Sequence, residues 1–118
     1  MIGTADRLHR LVGLAAARVS VRLGRWFALR FIKAGHAARD DLERAIWAFE
    51  VAARLDPANP SAWLGLGRAE IRRDGLVAAE EALRRCLALA LPDDGRVPHD
   101  PDVVKIALIA HGELGKIQ

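Results

Sequence analysis

DLERAIWAFEVAARLDPANPSAWLGLGRAEIRRDGLVAAEEALRRCLALALP, residues Asp41 to Pro92, states nearly the same apolar pattern twice, at a spacing of 34 residues. Ala45, Phe49, Ala52 and Leu55 recur as Ala79, Leu83, Cys86 and Leu89, and Leu42 recurs as Leu76. Between the copies, Trp63 and Leu66 slide back by the same interval onto Leu29 and Ile32. A helix-turn-helix unit repeated with this period cannot bury its apolar face alone and must stack on its neighbours. The pattern predicts an all-α protein, a short α-solenoid of about six antiparallel helices joined by short connections.

Turn chemistry divides the chain. Thr4 is placed to cap a first helix over residues 5 to 23, and Gly24 reads as a break before a second helix from Trp26 to Arg39. Asp40 or Asp41 caps a third helix that runs to Leu55. Asp56-Pro57-Ala58-Asn59-Pro60 forces a turn, because proline lacks a backbone donor and pushes the preceding residue towards extended geometry. A fourth helix from Ser61 to Arg73, a corner at Asp74-Gly75 and a fifth helix from Leu76 to Ala90 follow. Residues 92 to 98 read as a solvated loop, and a sixth helix begins near Pro101 and runs towards Gly115.

The pattern resembles tetratricopeptide repeats (TPR). Trp63-x2-Leu66-Gly67 followed by Ala79-x3-Leu83 is similar to the family's two-helix signature, and Ala45-x3-Phe49 with Asp56-Pro57 is similar to the second half of a preceding unit. The resemblance implies a single domain over 1–118, with a basic helix at 1–25, repeat one at 26–59, repeat two at 60–93 and a capping helix at 100–118. Lys33, His36, Glu70 and the late Pro92 depart from the family pattern.

Charge is distributed unevenly. Residues 1–39 hold eight Lys or Arg against Asp6 alone, which is +7; residues 40–118 hold ten basic and fourteen acidic side chains, which is −4, giving the net +3. Arg7, Arg10, Arg18, Arg22 and Arg25 gather on one side of the first predicted helix, and Leu8, Val12, Ala15, Val19, Leu23 and Trp26 on another. Its longest uncharged run, Leu11 to Ala17, is too short to cross a bilayer. A structural helix is expected here rather than a cleaved transit segment. Whether it caps the fold, fills a groove or binds a surface stays open.

Catalytic signals are weak. His9, His36, His99 and His111 are scattered without carboxylates or cysteines at ligand spacing, and the only serines, Ser20 and Ser61, lie in no nucleophile-elbow context. Cys86, the sole cysteine, takes the place of Ala52 in the other repeat and reads as a small core residue. The expectation is a protein that is not an enzyme and needs no cofactor or metal.

What remains is surface. Relatives of the resembled family hold a partner segment in the groove lined by the first helix of each repeat. That implies Phe27, Arg30, Ala34 and Ala38 from repeat one, and Ser61, Leu64, Arg68, Ile71 and Arg72 from repeat two. Such a groove, half apolar and half basic, suits an acidic or amphipathic segment of another protein. Trp47 and Val51, four residues apart, point away from the Ala45/Phe49 stripe; either the neighbouring helix covers them or they mark a second protein contact, with a partner or a further copy of the chain, and a contact is the expectation. The expected function is therefore a cytoplasmic adaptor, chaperone or accessory subunit. The alternative is a peripheral binder of anionic membrane or nucleic acid acting through the basic helix; the lack of aromatic residues interleaved with its arginines disfavours nucleic acid.

Overall fold

The structure is a computed structural model, and it describes residues 21–38, 40–92 and 98–118. Five helices and no strands are found among them: α1 (Val21–Ala37), α2 (Leu42–Leu55), α3 (Pro60–Arg72), α4 (Leu76–Ala90) and α5 (Pro101–Ile117). The all-α expectation therefore holds, with five helices where six were expected. The remaining predicted helix falls on residues 5–23, which lie almost wholly outside the described residues.

One boundary is corrected. Gly24 does not break the chain; α1 starts at Val21 and carries straight through it. A Cβ at Gly24 would stand 2.5 Å from the Leu55 carbonyl oxygen, so this glycine serves close helix approach rather than chain reversal. The expected division at residues 25 and 26 accordingly falls inside a helix.

Three of the other helix starts, those of α2, α3 and α5, follow side-chain capping chemistry. Asp41 caps α2 by accepting the Arg44 N–H at 3.2 Å. Asn59 caps α3 by accepting the Ser61 N–H at 2.9 Å, with Pro60 at the first helical position, where a missing N–H leaves nothing unsatisfied. Asp100 and Pro101 repeat the device on α5, where Asp100 accepts the Asp102 N–H at 2.9 Å. At the end of α3 the Asp74 N–H donates to the Ile71 carbonyl and the Gly75 N–H to the Glu70 carbonyl, a Schellman closure with Asp74 at φ 62°.

Consecutive helices pack on each other, and α3 also touches α1 and α5, so it meets all four of the other helices. Two apolar clusters result. Ala28, Ile32, Ala45, Ile46, Phe49 and Ala52 lead the first, between α1, α2 and α3. Leu64, Leu83, Cys86, Ala110 and Leu114 form the second, between α3, α4 and α5. Trp63 packs against both, and its Nε1 donates to the Pro57 carbonyl at 2.9 Å, tying α3 to the turn before it.

Candidate binding cleft

A depression of about 330 Å³ opens where α1, α2 and α3 meet. Its floor is Phe49 of α2, with Ala45 beside it, and its walls are Gly35 and His36 of α1 and Gly65, Arg68, Ala69 and Arg72 of α3. The two glycines build it. A Cβ at Gly35 would come within 2.7 Å of the Phe49 ring, and one at Gly65 would collide with that ring outright. The His36 imidazole stands edge-on to Phe49 at 5.1 Å.

Arg68 and Arg72 stand four apart on α3, so they share one helix face at the rim, and both are exposed. No acidic side chain of the described residues pairs with either. Two cations of fixed spacing over an apolar floor can receive a carboxylate-bearing segment that also carries apolar side chains.

The expected groove residues separate into three groups. Arg68 and Arg72 meet at the cleft. Leu64, only 8% exposed, and Ile71 turn instead towards Leu83, Ala110 and Leu114, because α5 covers that side of α3. Leu64 supplies core rather than groove, which corrects that expectation, and Ile71 is part-buried against the same cluster. Phe27 and Arg30 are exposed but line no part of the cleft: Phe27 packs edge-on against Trp26 at 4.8 Å, and the Arg30 guanidinium lies 4.6 Å over the Trp26 ring. Ala34 is exposed, Ala38 packs on the first cluster, and Ser61 is part-buried at the cap of α3.

At Trp47 and Val51 the structure takes the other alternative, cover by the neighbouring helix, rather than the expected contact. Val51 is 1% exposed and offers no surface, while Trp47 is half-buried with Phe31 of α1 edge-on at 5.6 Å. The neighbouring helix reaches over this face of α2. In the basic-helix set, Arg25 is exposed on α1 and Arg22 lies on its backbone; Arg7, Arg10 and Arg18 lie outside the described residues.

A second depression, about 430 Å³, lies between α2, α3 and α4. Its charges largely meet one another: Arg85 stands 4.9 Å over the Trp63 ring and pairs with Glu81 at 3.3 Å. Glu70, 3% exposed, is held by Arg73 through both carboxylate oxygens at 2.7 and 2.9 Å, and Arg73 reaches Glu43 at 3.5 Å. The Glu70 hydrogen bonds hold the Arg73 guanidinium above its ordinary pKa. The buried Glu70 carboxylate is thus neutralised by an arginine that itself reaches solvent.

Sequence reasoning missed His36, Gly35 and Gly65 as site residues. The echo marks Phe49 as core, but it carries no signal for glycines that matter only when two other helices close on its ring. Among the described residues no three His, Cys, Asp or Glu side chains gather as a metal-binding group, and no helix is long and apolar enough to cross a membrane. Comparison with known proteins gives no match to a family model, to a curated protein or to a solved structure.

Proposed function

We propose that the chain is a non-catalytic protein-interaction module, an adaptor, chaperone or accessory subunit that holds an acidic amphipathic segment of another protein in the α1–α2–α3 cleft. The observation that carries this is the unpaired Arg68/Arg72 couple above the Phe49 floor. The repeat architecture belongs to the same proposal. Packing of α1 on α2 and of α3 on α4, with α3 laid on α1 and α5 on α3, supports a short solenoid of two TPR-like units closed by α5.

A peptide array with matched acidic, neutral and basic amphipathic sequences tests the cleft. Acidic members bind the native chain, weaken as salt rises, and are lost by the double variant Arg68→Glu/Arg72→Glu while its helical circular dichroism stays unchanged. Undiminished acidic-peptide binding by that variant sinks the proposal.

A further inference from the structure

The outward side of α1 exposes aromatic and aliphatic side chains among cations. Trp26 and Leu29 are 50% and 58% exposed, and Phe27 beside them is 38% exposed. Arg25, Arg30 and Lys33 are exposed around them, and the 17 residues of α1 contain no Asp or Glu. The opposite side is fully committed, with Gly24, Ala28, Ile32 and Gly35 buried against the body. An exposed apolar stripe therefore runs along a helix whose other face cannot move out to meet it.

We infer that this face of α1 docks on an anionic lipid bilayer, lying in the headgroup layer. The outer side of a single helix is convex, a shape that enters a soft interface more readily than a rigid protein surface. Its chemistry is interfacial: Trp26, Arg30 and Lys33 share the outermost line of α1, with Phe27 to one side and Leu29 to the other, so apolar surface and cations on flexible stems are interleaved. Arg30 shows the combination in one pair, its guanidinium 4.6 Å over the exposed Trp26 ring, so that cation and aromatic surface are presented together. The charge division completes the argument. With four basic and no acidic residues on α1 (Arg22, Arg25, Arg30, Lys33) against −4 on residues 40–118, a negative surface attracts the α1 face and repels the rest, which favours one orientation of approach.

Flotation of the full chain with phosphatidylcholine vesicles, and with vesicles also containing phosphatidylglycerol, tests this. Binding is expected only to the anionic vesicles, falling with salt and falling about tenfold or more in Arg25→Glu/Arg30→Glu and in Trp26→Ser/Leu29→Ser. Brominated lipid quenches the native fluorescence, and Trp26→Phe, which keeps an exposed ring, removes that quenching while remaining bound. No binding, equal binding to neutral vesicles, or quenching that survives Trp26→Phe overturns the inference. So does loss of self-association or of RNA binding, in place of vesicle binding, in the face variants. Arg68→Glu/Arg72→Glu leaves vesicle binding in place, so failure of the cleft and failure of this face are read separately.

Discussion

Cys86 shows how a single residue can be legible in sequence and still acquire its character from packing. Its position opposite Ala52 in the 34-residue echo marks a small core residue, and the side chain is fully buried against Leu83 and Ala110. Burial pushes the thiol up from 9.0 to about 11, since the thiolate would sit away from water. The folded state thus holds its proton more tightly than the unfolded chain does. Stability from this group is fully present below pH 9.0 and is lost as the pH rises towards about 11, by at most about 3 kcal/mol. Denaturant titrations across that window are expected to show a steeper loss for the native chain than for Cys86→Ala. Parallel curves refute it.

At the scale of elements, glycines distinguish places where helices touch from places where they do not. Gly65 faces the Phe49 ring so closely that Gly65→Ala forces the ring or α3 aside, at a cost of about 1–3 kcal/mol, and narrows the cleft. Gly112, in the middle of α5, has nothing within 4 Å of the position a Cβ would take. Gly112→Ala is expected to raise stability by about 0.5–1 kcal/mol, because it removes backbone freedom from the unfolded chain without a clash. Thermal melts of the two single variants should move in opposite directions. Helix limits were readable where a cap or a proline marks them, as at Asp41, Asn59-Pro60 and Asp100-Pro101. The error at Gly24 came from treating glycine as punctuation, when its local role depends on Leu55 arriving from α2.

For the molecule as a whole, α3 decides cooperativity. It touches every other described helix, and Trp63 lies against both apolar clusters, so neither cluster is complete when α3 is displaced. Hydrogen exchange is expected to be slowest in α3 and faster towards the end of α5, which among the described helices packs only on α4 and α3. Trp63→Ala should speed exchange in α2 and α4 together. Acceleration confined to one side would mean that the clusters unfold independently.

The sequence by itself determined the helical class, the turns and the small-against-large pairs, because these depend on periodicity, capping and proline, all written within a few residues. It also displayed the basic first third of the chain and the Arg68/Arg72 couple. Only the tertiary structure decided which apolar residues were left for binding. Leu64 and Val51 have the same local credentials as Trp26 and Leu29, yet the first two are buried and the last two are exposed. That sorting is set by which helix lies over which face, a relation between distant segments that no local pattern records. The cleft arises in the same way: Gly35, Phe49 and Gly65 become a site only when three helices close on one ring.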